Sequence, residues 1–470
     1  MSSPDLDQAA VSLLGASEGL LAEASERDRR TLVSATMEVE ALDPSATAFA
    51  SRLASDRWFC WEQPDRDGFA LATLGSAHEA ISRGSGRFDD VAREAARVMR
   101  GRLADEPEGL PAGAGPVWTG GFAFAPDGGS RASWSSFPPG LLVLPELSLL
   151  RTAGRTWLTV NAVSAGGADR EPILARLGRR IASIREQPLP MFDPSPRGET
   201  AIASVTPPGA YESGVAGAVE RIRAGALEKV VLAREVAVEA PAAHDPAVTF
   251  GALRDLFPSC FCFCVGSPEG AFLGASPELL LRRRGAGVAT VALAGSIRRS
   301  ADPAVDDHLG EQLLHSAKDL GEHEIVARRI ERKLAPRSVW VEVDADPAVI
   351  KVANIQHLAT PVHAQLADPL SAVELAGILH PTPAVGGEPD ASARAAIAEL
   401  EDLDRGWYAG PVGWMDSTED GEFCVALRSA LLRDRTAHLY AGAGIVADSD
   451  PAAELAETEL KLEALLPLLS

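Results

Sequence analysis

The sequence carries little positive charge for its size. Its 470 residues include 44 lysines and arginines against 66 aspartates and glutamates, and the formal net charge is −22. A protein that binds nucleic acid needs a basic surface to contact phosphates, so we expect no nucleic-acid partner. A small anionic substrate is still compatible with this composition, because arginines or a metal ion can make a cleft locally positive inside an acidic protein.

Long apolar runs are also missing. No segment approaches the roughly 18 consecutive apolar residues that a membrane-spanning helix requires. Residues 1–5 show neither the basic segment nor the following apolar stretch of a signal peptide. These absences predict a cytoplasmic protein that does not insert into a membrane.

The sequence has only five cysteines, and no two of them form a Cys-x-x-Cys pair. Cys260, Cys262 and Cys264 alternate with phenylalanines, so on a strand they would share one face. Their apolar neighbours favour a buried core face over a metal or redox site. Nothing in the cysteine pattern indicates an oxidising compartment.

The rest of the composition, with 46% apolar and 23% charged residues, is that of a globular protein. Three segments differ in pattern. Residues 1–185 alternate amphipathic helices with short strands. Residues 186–208 are rich in proline, serine and charge and are interpreted as a connector. Residues 209–470 are the most strongly patterned, and no internal repeat is visible.

The segment 209–470 predicts strands framed by helices. The predicted helices cover residues 211–222, 306–334 and 371–379, and a last helix begins at Pro451 behind an aspartate cap. The predicted strands cover residues 229–238, 261–265, 271–274, 279–282, 288–293, 406–414, 422–432 and 437–442. The first short strands indicate an antiparallel meander, and the part around His357 is predicted to be a loop. This pattern is typical of an α+β fold with large antiparallel sheets.

Two short motifs contain candidate acid–base residues. Lys229 stands among apolar residues at the start of a predicted strand, where loss of hydration favours the neutral amine that can act as a base. Glu278 follows Pro277 in a tight turn, and a buried glutamate there could donate a proton. Each also has an ordinary interpretation: the lysine could extend its ammonium to solvent, and the glutamate could be an exposed turn residue.

Three glutamates are candidate magnesium ligands. Glu322 lies on the long predicted helix, and Glu454 and Glu457 lie three residues apart on one face of the last helix. Mg²⁺ prefers one or two protein carboxylates and keeps waters that a substrate oxyanion can replace. The alternative is ordinary surface ion pairing, such as Glu457 with Lys461. His323 has no second histidine at ligand spacing, so a zinc site is not expected.

Two further features suit an anionic ligand. Arg428 is predicted to lie in the middle of a strand, and inside a cleft its guanidinium could bind a carboxylate through two hydrogen bonds. Gly442-Ala443-Gly444 would let backbone amides approach an anion closely. Each feature also has an ordinary interpretation when it is taken alone. Arg428 could be an exposed arginine on a strand, and a Gly-x-Gly sequence is not specific for anion binding.

The order of the motifs is more specific than any one of them. The motifs are Lys229-Val230-Val231-Leu232-Ala233-Arg234, Gly274-Ala275-Ser276-Pro277-Glu278-Leu279-Leu280, Leu293-Ala294-Gly295-Ser296, Lys318-Asp319 with Glu322-His323-Glu324, His357-Leu358-Ala359-Thr360-Pro361, Leu379-His380-Pro381-Thr382-Pro383-Ala384, and Gly442-Ala443-Gly444-Ile445-Val446. Together they resemble the chorismate-utilising enzymes, and among these the isochorismate synthases of siderophore and menaquinone pathways. The resemblance covers roughly residues 205–470, whereas residues 1–185 resemble only the divergent N-terminal portion of that family. It implies a fold of large antiparallel sheets packed as a sandwich with helices outside.

The resemblance also implies roles for individual residues. Lys229 would be the base that activates water for attack at C2 of chorismate, and Glu278 the acid that protonates the departing C4 hydroxyl. Glu322 and Glu457, with Glu454 nearby, would hold Mg²⁺ on the ring carboxylate. The residues expected to contact the substrate are Ser296, His357, Ala384, Tyr408, Arg428, Gly442 and Lys461.

Within the family, Ser296 argues against anthranilate and aminodeoxychorismate synthases, which carry threonine there and need a glutamine-amidotransferase partner. Salicylate synthases, which go on to eliminate pyruvate, resemble the sequence at every catalytic residue but tend to carry threonine near Ala384. We predict a magnesium-dependent isochorismate synthase that acts on chorismate as a monomer, without an amidotransferase subunit. A salicylate synthase is the alternative. A catalytically silent binding protein would have lost Lys229, Glu278 or a metal-binding glutamate, and all of these are present.

Overall fold

A computed structural model describes residues 4–167, 169–193, 198–352 and 354–470. Its α-helices are α1 (Pro4–Ser25), α2 (Pro44–Ser51), α3 (Arg87–Met99), α4 (Glu171–Ala182), α5 (Pro208–Arg223), α6 (Pro246–Leu256), α7 (Pro303–His315), α8 (Ala317–Leu334), α9 (Ala372–Leu379), α10 (Asp390–Leu400), α11 (Pro451–Leu462) and α12 (Leu466–Leu469). Short 3-10 helices cover Ala132–Trp134 and Ala335–Arg337. None of the helices in these ranges combines the length and apolar character needed to cross a membrane.

The strands of the described residues are more numerous than the helices. They are β1 (Thr31–Val39), β2 (Trp58–Gln63), β3 (Phe69–Leu74), β4 (His78–Ser82), β5 (Leu103–Asp105), β6 (Val117–Phe122), β7 (Gly140–Leu144), β8 (Leu147–Thr152), β9 (Arg155–Ser164), β10 (Ala201–Ser204), β11 (Lys229–Glu239), β12 (Phe261–Ser267), β13 (Gly270–Ser276), β14 (Leu279–Arg284), β15 (Gly287–Arg298), β16 (Ser338–Val343), β17 (Ala348–Val352), β18 (Ile355–Leu366), β19 (Gly387–Glu388), β20 (Pro411–Asp416), β21 (Gly421–Val425), β22 (Ser429–Arg433) and β23 (Thr436–Ile445).

The strands form two sheets. The first has 13 strands in the order β10-β11-β23-β22-β13-β12-β2-β3-β8-β9-β1-β5, with β19 paired to β11. The second has 10 strands in the order β16-β18-β15-β14-β21-β20-β6-β7-β4, with β17 paired to β18. Pairing is antiparallel except between β1 and β5. The largest apolar core contains Trp61 and Leu232 of the first sheet together with Leu281 and Trp414 of the second. The α+β fold with large antiparallel sheets is therefore confirmed.

Strands from the first and last parts of the chain share both sheets. In the first sheet β2 pairs with β12, from Cys262 opposite Glu62 to Gly266 opposite Trp58. In the second sheet β6 pairs with β20. The predicted connector, residues 186–208, contributes β10, which pairs with β11, and residues 194–197 of it lie outside the described residues.

Several local predictions are confirmed. Helix α5 covers the predicted 211–222, and α11 begins at Pro451 with the Asp450 side chain accepting a hydrogen bond from Ala453 N. The five cysteines are buried free thiols, and Cys260, Cys262 and Cys264 pack in one core cluster. The expected core face is thus present.

Other local predictions are wrong. The predicted helix 306–334 is two helices, because Ser316 has an extended backbone and caps α8 by accepting a hydrogen bond from Asp319 N. The segment around His357 is part of β18 and not a loop. Residues 406–410 form a turn, and the strand begins only at Pro411. The predicted meander consists of two hairpins in different sheets, β12–β13 and β14–β15.

The predicted strand 422–432 is also wrong, since it is divided into β21 and β22. Arg428 lies between them with a positive φ of 46°. This left-handed backbone conformation turns the chain from the second sheet into the first. Arg428 is therefore a crossover residue and not a mid-strand residue.

Candidate active site

A cavity opens where the chain twice passes from one sheet to the other. After β13 the chain enters β14 through Glu278, and after β21 it enters β22 through Arg428. Backbone hydrogen bonds join the two crossings, from Val425 N to the Glu278 carbonyl (3.0 Å) and from Ala275 N to the Arg428 carbonyl (3.2 Å). Both side chains line the same cavity.

The cavity brings together most of the predicted site residues. The space between the lining side chains, including the part that is open to solvent, is about 950 Å³. The predicted residues that line it are Glu278, Ser296, Glu322, His357, Ala384, Tyr408, Arg428, Gly442, Glu457 and Lys461. Lys229 and Glu454 are not lining residues, and each lies buried behind a side chain that is one.

Lys229 is the first residue of β11 and is fully buried, with 0% of its surface exposed. Its backbone pairs with Glu388 of β19, which fixes the strand end beside α8. Its Nζ lies 2.8 Å from Oε1 of Glu322, a cavity-lining residue of α8. Because a lone buried charge is costly, this ion pair is what allows the lysine inside. The surface-exposed alternative for Lys229 does not hold in this structure.

Glu278 is held in the first crossing and is 4% exposed. Its amide donates to Ser276 Oγ (3.2 Å), and Thr382 Oγ1 donates to its Oε1 (3.4 Å). Burial raises the pKa of Glu278 to about 7, although the charges of Lys229 and Lys461 oppose this shift. A carboxyl group with this pKa is partly protonated at neutral pH and can donate a proton.

Carboxylates cluster on the side of the cavity formed by α8 and α11. Asp319 and Glu322 of α8 and Glu457 of α11 line it. Glu454 is buried behind them, where it accepts a hydrogen bond from Lys318 Nζ (3.1 Å). Burial opposes the charge of Lys318, yet the carboxylates of Glu454, Glu457 and Glu322 raise the pKa of its ammonium. Negative charge therefore dominates this side.

The same carboxylates fit a magnesium ion. No three histidine, cysteine, aspartate or glutamate side chains within the described ranges form a metal cluster on their own. Mg²⁺ needs fewer, since one or two carboxylates suffice and the remaining ligands are waters and substrate oxygens. Burial raises the pKa of Asp319, and the negative charge of Glu322 on the same helix raises it further. Glu322 and Glu457, from two helices facing one cavity, supply the hard oxygen donors that the ion prefers.

Cationic and hydroxyl groups line the cavity around Arg428 and Lys461. Lys461 Nζ lies 2.7 Å from Glu457 Oε1 and donates to the Gly442 carbonyl (2.9 Å). Glu457 and Lys461 therefore do form the ion pair that was the alternative to a metal site. Both residues line the cavity, however, and are not simply surface residues. Tyr408 is buried and stacks on Tyr440 at 5.3 Å. These groups give the cavity a cationic and hydroxyl-bearing region suited to carboxylates.

Ser296, His357 and Ala384 complete the predicted set. Ser296 Oγ donates to Glu457 Oε1 (3.0 Å), and Ser296 pairs with His357 across β15 and β18. Ala384 lies in the turn between α9 and β19, where its small side chain leaves room in the cavity.

Sequence reasoning missed several lining residues. They are Val231, Leu293, Lys318, Asp319, Val385 and Arg405, among others. Arg405 is the most informative, because its Nη groups donate to the Val231 and Val385 carbonyls (2.8 Å each) and its guanidinium lies 4.2 Å from the Phe124 ring centroid. The Lys318-Asp319 motif was visible in the sequence, whereas nothing local marks Arg405.

Comparisons with known proteins point to one enzyme family. A family model described as chorismate binding enzyme matches residues 19–470. The chain is 34% identical over 458 residues to isochorismate synthase MenF of Bacillus subtilis, with 96% of each chain covered. It is 36% identical over 471 residues to the salicylate biosynthesis isochorismate synthase of Pseudomonas aeruginosa, covering 99% of this chain and 96% of the relative. The solved structure of MenF, the menaquinone-specific isochorismate synthase from Escherichia coli, superposes with a TM-score of 0.79 at 28% identity, over 98% of this chain and 100% of that one.

Proposed function

Because this chain belongs to the family of chorismate binding enzymes, we propose that it is an isochorismate synthase, which converts chorismate into isochorismate. The family predicted from the motifs is thereby confirmed. Two relatives that match nearly the whole chain carry that activity in their names. The observation that carries the proposal is a buried carboxyl group in the cavity wall, Glu278, with a pKa of about 7, together with a fully buried lysine, Lys229, whose Nζ contacts the cavity-lining Glu322.

The reaction moves a hydroxyl between two positions of a conjugated ring. Water adds at C2 and the C4 hydroxyl leaves as water, so one group must accept a proton and another must donate one. Glu278 suits the donor role because its carboxyl group is protonated in part at neutral pH. Lys229 suits the acceptor role by its position, because its amine is fully buried beside the cavity and its Nζ lies 2.8 Å from Oε1 of Glu322.

The substrate carboxylates would bind at the cationic side of the cavity. Arg428 can offer two parallel N–H groups to one carboxylate, and Lys461 adds a second positive charge. The Tyr408 hydroxyl lies near Gly442, where an added Cβ would stand 3.3 Å from it. A side chain at position 442 would therefore fill the space in which the carboxylate and the Gly442 amide are proposed to meet.

We also propose that Glu322 and Glu457 hold Mg²⁺, with Glu454 supporting them from behind. When bound, the ion would neutralise the ring carboxylate and polarise the conjugated system. The chain's own residues orient these ligands: Ser296 and Lys461 both contact Glu457 Oε1, and Lys318 holds Glu454. Without a cation, the carboxylates on this side of the cavity would repel the anionic substrate.

Replacing one ligand tests the metal site. Glu457→Gln is expected to raise the magnesium concentration for half-maximal activity at least about tenfold, the scale on which supporting changes at metal sites act. It should also weaken magnesium-dependent thermal stabilisation by a similar factor. Both are measured by titrating MgCl₂, in an assay and in a melting experiment.

The matched control is Glu463→Gln, which alters an exposed glutamate just beyond the same helix. It should leave both titrations unchanged. If the magnesium dependence of Glu457→Gln is unchanged, Glu457 is not a metal ligand and serves only as the ion-pair partner of Lys461.

Product analysis tests the function itself. Purified protein is incubated with chorismate and Mg²⁺, and isochorismate, salicylate and pyruvate are separated. We expect isochorismate without pyruvate. Equimolar salicylate and pyruvate would instead establish the salicylate synthase alternative, and no conversion would refute both.

We further propose that the protein works as a monomer without an amidotransferase subunit. Ser296 stands where the ammonia-using enzymes are expected to carry threonine, which argues against an amidotransferase subunit. Light scattering during size-exclusion chromatography of the active protein measures its mass. Full activity at the mass of one chain, with water and no ammonium salt as the nucleophile source, is the expected result.

A further inference from the structure

Both ring nitrogens of His357 are occupied by protein groups, although the residue lines the cavity. Nδ1 lies 3.0 Å from the Gly295 carbonyl, which can only accept a hydrogen bond. Nδ1 therefore carries the proton, and Nε2 is the acceptor in the neutral ring. Nε2 lies 3.1 Å from Nη2 of Arg428, which can only donate. The two contacts define a single tautomer.

The neighbouring backbone is shaped to supply the first contact. The ladder between β15 and β18 shifts register between Ala294 and Ser296, so Gly295 is the extra residue of a bulge. Gly295 has a φ of 73°, and an added Cβ would lie 3.1 Å from Asp319 Cβ. The bulge directs the Gly295 carbonyl at His357, its neighbour across the sheet.

The guanidinium of Arg428 has one donor nitrogen that is not hydrogen-bonded by the described residues. Its backbone has a φ of 46°, and the residue is 8% exposed. Nη1 is buried and has no hydrogen-bond partner among the described residues. An unpaired donor on a buried guanidinium, beside the cavity, fits an anionic ligand that supplies the missing acceptor.

We propose that His357 is a positioning residue, which holds the Arg428 guanidinium so that its free donor faces a substrate carboxylate. This inference rests on the proposed function, since it assumes that Arg428 binds a carboxylate of chorismate. His357 itself then donates nothing to the substrate, because its only proton is committed to Gly295. Burial, followed by the charge of Arg428, lowers the pKa of His357 to about 3, so the ring stays neutral at physiological pH.

Two substitutions test the hydrogen bonds of the two His357 ring nitrogens one at a time. In His357→Asn the side-chain amide can still donate to the Gly295 carbonyl, but nothing reaches Arg428. In His357→Gln the longer side chain can place its oxygen where Nε2 stood and accept from Arg428. We expect His357→Asn to raise the KM for chorismate about tenfold or more, because a hydrogen bond to a charged group is lost, with kcat changed far less. His357→Gln should restore most of the affinity.

A double substitution tests whether His357 acts through Arg428. In an Arg428→Lys background, which has no planar fork, His357→Asn should raise KM little further. The pH profile of kcat/KM should be the same in His357→Asn as in the wild type. Melting temperatures are recorded for all variants, so that a folding defect is recognised.

The outcomes discriminate among the alternatives. An unchanged KM in His357→Asn overturns the inference, as do additive effects in the Arg428→Lys background, which indicate direct substrate contact. A large loss of kcat with an altered pH profile would make His357 an acid–base group. If His357→Asn does not fold, a raised KM in a stably folded His357→Gln overturns the inference. A wild-type protein that does not convert chorismate refutes the proposed function instead, before any variant is compared.

Discussion

Lys229→Ala is expected to lower isochorismate formation by a factor of roughly 10²–10⁴ or more, the range in which general acid–base groups contribute, while chorismate still binds. The variant loses the proposed base but keeps the residues assigned to the carboxylates, Arg428 and Lys461. Steady-state assays measure the rate, and calorimetric titration with chorismate and Mg²⁺ measures binding.

A second substitution at position 229 distinguishes a role as proton acceptor from a role that needs only a positive charge. Lys229→Arg keeps a cation for Glu322, but a guanidinium does not lose its proton in proteins. It should therefore be nearly as inactive as the alanine variant. Lys351→Ala, at a lysine paired with Asp306 and Asp307 away from the cavity, is the control and should retain activity. An active Lys229→Arg would assign the lysine a purely electrostatic role.

Glu278→Gln is expected to have an effect of the same size, for the acid half of the reaction. Glu278 must be protonated to donate, and its pKa is about 7. In the wild type kcat/KM should therefore fall as pH rises above about 7, because the active protonated fraction is lost. The glutamine variant should lose both the activity and this alkaline limb of the profile.

Thr382 offers a graded test of the same assignment. Its hydroxyl hydrogen-bonds to the Glu278 carboxylate and lowers the pKa of that group. Thr382→Val removes this stabilisation of the anion, so the alkaline limb should move to higher pH with activity retained below it. A limb that persists unchanged in Thr382→Val and Glu278→Gln would belong to another group.

The sequence predicted these residues because each lies in a compact local motif. Lys229 stands at a strand start, and Glu278 follows Pro277 in a turn between strands. Each position alone left an ordinary alternative open, and the order of the motifs identified both. The contact between Lys229 and Glu322 was not predictable in the same way, since it joins a strand to a distant helix. Glu322 was instead predicted to be a magnesium ligand, with ordinary surface ion pairing as the alternative.

The errors in the fold have related causes. The helical pattern continues through Ser316, and only its side-chain hydrogen bond to Asp319 N divides α7 from α8. Apolar runs on both sides of Arg428 look like one strand, because this crossing, unlike the one at Pro277, contains no glycine or proline. The partners of His357 depend on a bulge at Gly295, which only the pairing of β15 with β18 reveals. Element types follow from local pattern, whereas sheet membership depends on contacts between distant residues.

The sharing of both sheets by early and late strands limits how the cavity can open. Enzymes built from separable bodies often admit substrate by hinge motion. Here β2 with β12 and β6 with β20 are joined by continuous backbone ladders, so a hinge along that line would break many hydrogen bonds at once. Arg405 adds a further contact between early and late residues, since its guanidinium lies over Phe124 and donates to the Val231 and Val385 carbonyls. Hinge opening along these two ladders is therefore disfavoured, which leaves the side chains and the helices α8 and α11 at the cavity wall as the parts that can move to admit a ligand.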